Sequence, residues 1–127
     1  MARNKIDFES VRKIAVGLPG VEASTAYGCP ALKVRGKLMA CVPASRSAEV
    51  GSLVVCVDRE ERVALLAEHP DVYYVTNHYV GYDTVLVRLS RVSTELLEDI
   101  LRMAHRFAMR KTKRATVGRK KRGGKSV

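Results

Sequence analysis

The chain is predicted to fold as a two-layer α+β domain, an antiparallel sheet with helices on one face, in the order helix, three strands, helix, two strands, helix. Three observations predict it. Apolar residues recur at helical spacing in three stretches of the chain. The segments between them alternate apolar and polar residues, or run apolar for the length of a strand. No strand–helix–strand unit repeats often enough for a doubly wound parallel sheet, so the helices pack on one face of an antiparallel one.

The first helix is expected from Asp7 to Leu18, with Phe8, Val11, Ile14 and Leu18 on its apolar stripe. Asp7 suits its N-cap, and Gly17, Pro19 and Gly20 end it. In the short strands that follow, Leu32 and Val34 share one face, with Lys33 and Arg35 on the other. Beyond Gly36 the apolar face continues with Leu38, Ala40 and Val42. Arg35-Gly36 falls where a tight hairpin turn belongs. Residues 43–52 read as a loop, and Leu53 to Val57 as an apolar strand. Asp58 starts the second helix, with Glu61 as a capping-box partner and Val63, Leu66 and Ala67 toward the core. Pro70 stops it. Val72 to Val75 is a strand, 76–83 a loop, and Thr84 to Leu89 an alternating strand with Val85, Val87 and Leu89 inward. The third helix starts near Ser93, buries Leu96, Ile100, Met103 and Phe107, and fades near Lys111.

Charge divides the chain. It carries 23 Lys+Arg against 13 Asp+Glu, a formal net charge of +10. Nine of the cations lie in residues 110–127: Arg110, Lys111, Lys113, Arg114, Arg119, Lys120, Lys121, Arg122 and Lys125. No acid accompanies them. Residues 1–109 hold 14 basic and 13 acidic side chains and form one near-neutral domain. Residues 110–127 are expected to be a disordered basic tail that attracts polyanions, nucleic acid above all. A sticky, solubilising terminus has the same composition. No secretory or membrane-spanning segment is visible. The three cysteines, Cys29, Cys41 and Cys56, suit a reducing cytoplasm rather than a disulfide framework.

Two clusters carry possible binding chemistry. Lys33, Arg35 and Lys37, two residues apart on a regular hairpin, are expected to project together as a basic wing against a phosphate backbone, with Arg88 extending the patch. Cations on a sheet edge also guard against aggregation. Asn77, His78, Tyr79 and Tyr82, with Asp83, set aromatic rings beside hydrogen-bonding groups, which suits base stacking or a small pocket. The same rings also suit a loop that closes the core. Cys29, His78 and Asp83 give no local signature of a thiol nucleophile, so no enzyme is expected. No cofactor is expected either. His69, His78 and His105 are too scattered for zinc, and no phosphate-cradling glycine loop is present.

An ordered set of motifs is familiar. Leu18-Pro19-Gly20-Val21-Glu22, Tyr27-Gly28-Cys29-Pro30 and Lys33-Val34-Arg35-Gly36-Lys37 stand in the first half. Pro70-Asp71-Val72-Tyr73-Tyr74-Val75-Thr76, His78-Tyr79, Gly81-Tyr82 and Val85-Leu86-Val87-Arg88-Leu89 follow in the second. Over about residues 7–109 the chain resembles the MmcQ/YjbR family. Thr84 stands where that family often carries an aromatic residue. The resemblance implies a small antiparallel sheet with helices, similar to CyaY-like and secretion-chaperone-like folds, and a double-wing mode of DNA binding. The expected function is DNA binding without catalysis, through hairpin and tail on the phosphate backbone. The alternative is a protein- or small-ligand-binding module that uses the sheet face and the 76–83 loop. A closed, apolar pocket walled by Tyr79 and Tyr82 favours the second; a flat basic face without a pocket favours the first.

Overall fold

The computed structural model describes residues 6–122, with side chains described through Arg110. Helix α1 (Phe8–Ala15) starts at the expected cap. The Ser10 N–H donates to the Asp7 carboxylate at 3.1 Å, and the Asp7 N–H donates to the Ser10 hydroxyl at 3.4 Å. These bonds hold the Asp7 carboxyl below its ordinary range. Val11 and Ala15 are buried, with Phe8, Ile14 and Leu18 packed at the margin of the core.

Six strands form one antiparallel sheet. They are β1 (Val21–Ala26), β2 (Cys29–Val34), β3 (Lys37–Cys41), β4 (Ser52–Cys56), β5 (Tyr73–Tyr74) and β6 (Thr84–Arg88), in the spatial order β1-β2-β3-β4-β6-β5. Helix α2 (Arg59–Glu68) joins β4 to β5, and helix α3 (Thr94–Arg122) follows β6. The expected architecture is therefore present, with β1 as one further strand. Its sequence, VEASTA, has no apolar alternation because it is a sheet edge, mostly exposed on both faces. Two hairpins place it. Tyr27-Gly28 joins β1 to β2 and Arg35-Gly36 joins β2 to β3. All four of these residues have positive φ, the type I′ geometry that matches strand twist.

The register sets the faces. Leu32 lies opposite Ala40 and Lys33 opposite Leu38, leaving Met39 as an extra residue in β3. This bulge corrects the expected alternation. Met39 and Ala40 are both buried on the helix side, while Leu38 turns to the other face. Between β3 and β4 only two pairs form, Ala40–Val55 and Cys41–Val54, so the strands part beyond them. β4 then pairs along its whole length with β6, Ser52 to Arg88 through Cys56 to Thr84.

The main core lies between the sheet and the helices. Leu32, Val34, Leu53, Val55, Val85 and Val87 meet Val11 and Ala15 of α1, Leu65 of α2 and the buried stripe of α3. That stripe is Leu97, Ile100, Leu101, Ala104 and Ala108; Ile100 and Phe107 are buried as expected, while Leu96 and Met103 lie at the margin. Ser93 caps this helix by accepting from the Leu96 N–H at 3.1 Å. The helix was expected to end near Lys111 in a disordered tail. Its backbone instead stays helical to Arg122, through a run rich in Lys and Arg, both good helix formers. Lys125 lies outside the described residues.

Helix α2 departs most from expectation. Asp58 caps it, accepting from the Glu60 N–H at 2.9 Å. Glu61 completes no capping box, and one of its carboxylate oxygens is buried without a hydrogen-bond partner. The buried residues are Arg62 and Leu65, and Val63 is exposed. The helix is turned by what Arg62 must reach. No helix among the described residues is long and apolar enough to cross a membrane.

Candidate functional site

No helix residue joins the small apolar cluster on the other face of the sheet, which holds Ala31, Cys41, Val54, Tyr79 and Leu86. A cleft of about 740 Å³ opens there and runs into the gap where β3 and β4 part. Its floor includes Leu38, Cys41, Val54 and Cys56 from the two parting strands, with Phe107 and Ala108 of α3 reached through the gap. Tyr27, His78, Tyr79 and Tyr82 line its sides, and Lys37, Ser45, Asp83 and Thr84 bring polar groups to it. The cleft is largely apolar and Tyr79 and Tyr82 wall it, but it is open to solvent, so it is neither the closed pocket expected of a ligand site nor a flat basic face.

Loop 76–83 forms one wall and is tied down from three directions. Arg62, buried in α2, donates to the carbonyls of Tyr82 at 3.0 Å, Thr84 at 2.8 Å and Val80 at 3.2 Å. Arg59, one turn earlier, pairs with the Asp83 carboxylate at 2.8 Å and donates to the Gly81 carbonyl. The Thr84 hydroxyl donates to the Tyr79 carbonyl at 3.3 Å, so the residue that replaces an aromatic closes the loop instead. Sequence reasoning missed both arginines. The one signal was the i, i+3 spacing of Arg62 with buried Leu65, which places a guanidinium on the core side of the helix.

The rings differ in exposure. Tyr79 is buried, and His78 meets its ring edge-on at 4.7 Å and 82°. Tyr82 is 60% exposed, with His78 6.2 Å from its ring. Asn77 is exposed on the loop but does not line the cleft. Tyr27 is 82% exposed and holds φ at 55°, a left-handed backbone uncommon for a bulky residue.

The basic wing is only partly assembled. In the hairpin, Val34 lies opposite Lys37 and Lys33 opposite Leu38, so the two lysines project from opposite faces. The two-residue turn breaks the i, i+2, i+4 count on which the common face depends. Lys33 also sits across from Glu22 of β1. Arg35 is in the turn, and Lys37 alone of the three lines the cleft. Arg88 does not extend the patch. It stands at the far end of β6, level with Ser52, where it grips Glu49 at 2.9 and 3.0 Å. Its guanidinium lies 4.3 Å from the Tyr74 ring centroid and donates to the Pro70 and Asp71 carbonyls. It ties the 43–51 loop to the sheet. Of the cationic run, only Arg110 has a described side chain; it lies 3.8 Å from the Asp58 carboxylate and 5.7 Å from the Phe107 ring centroid.

Burial first, and the neighbouring Cys29 second, push the Cys41 thiol up to about 11. It is a small apolar filler at neutral pH rather than a nucleophile. Among the described residues no group of His, Cys, Asp or Glu is placed to hold a metal ion.

A six-stranded antiparallel sheet, covered by three helices on one face and open to a cleft on the other, defines a small α+β domain of one class. The chain belongs to the YjbR family, whose model matches residues 16–107, from the end of α1 to the last buried turn of α3. The family resemblance read from the motifs is therefore sound. The crystal structure of Deinococcus radiodurans protein DR2400, a DUF419 domain, is similar with a TM-score of 0.63 and 20% identity, covering 83% of this chain and 80% of that one. At that identity the likeness shows the fold alone. Uncharacterized proteins of Mycobacterium tuberculosis and Mycobacterium bovis are 41% identical over 44 residues. That match spans 35% of this chain and about a third of the length of those relatives.

Proposed function

We propose that the protein is a nucleic-acid-binding module without catalytic activity, DNA being the favoured partner, working in a reducing cytoplasm that keeps its three cysteines free. One observation carries the reading. Phe107 and Ala108 line the cleft, and the nine-cation run begins two residues further along the same helix, at Arg110. The part of the chain that attracts phosphates thus begins next to two residues that line the cleft. The cations supply affinity, and the body, through Lys37 and the cleft, supplies orientation.

The test is a salt titration of duplex DNA binding, full-length protein against a chain ended after Arg110. If about six cations reach phosphates, log K against log salt has a slope near −5, and truncation flattens it. Absence of binding at about 50 mM salt, or binding indifferent to salt, overturns the reading.

The apolar character of the cleft favours a second reading, a protein- or small-ligand-binding module on the sheet face and the 76–83 loop. Under it the truncated chain keeps full affinity for its ligand, and nucleic acid is bound only weakly and without structure preference.

A further inference from the structure

We propose that the cleft receives an unpaired nucleobase, so that the protein prefers single-stranded nucleic acid to duplex. The proposal rests on the nucleic-acid reading and deepens it.

The cleft is built to keep aromatic faces apart and wet. Tyr27 and Tyr82 line it, yet are 82% and 60% exposed. Such rings normally pack into an apolar floor when nothing restrains them. The backbone that carries Tyr82 is held from α2: Arg62 donates to the carbonyls of Tyr82 and Thr84, and Arg59 to that of Gly81. Tyr27 is fixed by a two-residue turn whose geometry suits Asn or Gly and is uncommon for a tyrosine. Strain of this kind at a residue that lines a cleft points to binding. Each ring presents a face on which any base can stack, over a floor containing Leu38 and Val54.

The charge argues for a base that carries a phosphate. Lys37 lines the cleft, and the cationic run starts two residues after Ala108, which lines it too. A strand whose phosphates follow those cations can turn a base inward. A duplex cannot do the same without cost. Its bases are stacked and paired, whereas this cleft, of about 740 Å³, is concave and walled by a loop, so a base must leave its stack to enter.

The test uses the full-length protein and three fluorescently labelled oligonucleotides of equal length: a mixed-sequence single strand, its duplex, and an abasic single strand with the same phosphates. Anisotropy titrations at about 50 mM salt are expected to show the base-bearing strand bound about tenfold more tightly than the abasic one. The duplex falls below the base-bearing strand. Tyr82→Ala and Tyr27→Asn each weaken the base-bearing strand several-fold and leave the abasic strand unchanged. Both side chains are exposed, and Asn suits the turn at position 27, so that variant folds at least as well as the parent. Equal affinity for base-bearing and abasic strands, or a duplex bound as tightly as the single strand, overturns the inference and leaves the nucleic-acid reading standing. Failure of all three to bind overturns both.

Discussion

Tyr27 sets stability against binding at a single residue. A left-handed backbone costs a residue other than Gly about 1 kcal/mol, and Asn largely escapes the cost. Tyr27→Asn is therefore expected to raise the melting temperature by about 4 °C, read by thermal denaturation, while it weakens the binding of a base-bearing strand. A lower melting temperature would show that the ring stabilises the fold through contacts with the cleft. The two lysines of the hairpin are separable in the same way. Lys37→Ser is expected to weaken nucleic-acid binding by the tail-less body and Lys33→Ser to leave it unchanged, because Lys37 lines the cleft and Lys33 does not. Tyr73 gives the fold a pH dependence. It is 1% exposed, and burial first, with the charges of Asp99 and Glu68 behind it, pushes its phenol from 10.0 up to about 12. The unfolded chain ionises Tyr73 first, so its contribution to stability is complete below pH 10 and disappears as the pH rises to about 12. Melting curves across that window are expected to fall less steeply for Tyr73→Phe than for the parent.

Among the elements, α2 is the one whose purpose the chain conceals. Arg62 is a buried cation with three backbone carbonyls for partners and, among the described residues, no carboxylate ion pair. Arg62→Met roughly keeps the volume and takes the guanidinium from the Val80 and Thr84 carbonyls, while Tyr82 keeps the Thr84 N–H at 2.9 Å, for an expected loss of about 1–3 kcal/mol, measured by chemical denaturation. A loss well below that range would mean that water replaces the guanidinium and that the loop does not depend on it. The contrast with the other elements shows what was legible. The cap at Asp7, the Arg35-Gly36 turn, the strands β4 and β6 and the site residues His78, Tyr79 and Tyr82 follow from local chemistry, where residue type and spacing decide the outcome. The bulge at Met39, the edge strand β1 and the rotation of α2 do not. Each depends on a partner outside its own segment: Leu32 for the bulge, β2 for the edge, loop 76–83 for the helix. The basic wing failed for the same reason, since counting by twos holds along a strand and not around a turn.

At the scale of the molecule, body and cationic run are expected to behave as separate parts. The core's last contributors in α3 are Phe107 and Ala108, with Met109 at the margin. A chain ended after Arg110 keeps the Arg110–Asp58 contact and loses no described core residue. Its melting temperature is expected within a few degrees of the full chain, since surface changes away from core and caps seldom exceed about 0.5 kcal/mol. A body that precipitates or melts far lower would show the extension packing against it.

The short junction between β3 and β4 has a mechanical consequence. On one side lie β1, β2 and β3, joined by two tight hairpins; on the other lie β4, β6 and β5. Two residue pairs connect the halves, and α3 lies across both β3 and β4 like a splint. The soft line between the two halves therefore runs beneath the cleft, with Tyr27 on one side of it and Tyr82 on the other. Amide protons of β3 and β4 that face each other are expected to exchange with solvent before those of β2 or β6. An occupant that touches both tyrosines bridges the two halves. It slows exchange along this seam, so occupancy is felt as stiffness in the middle of the sheet, some distance from the rings that make the contact.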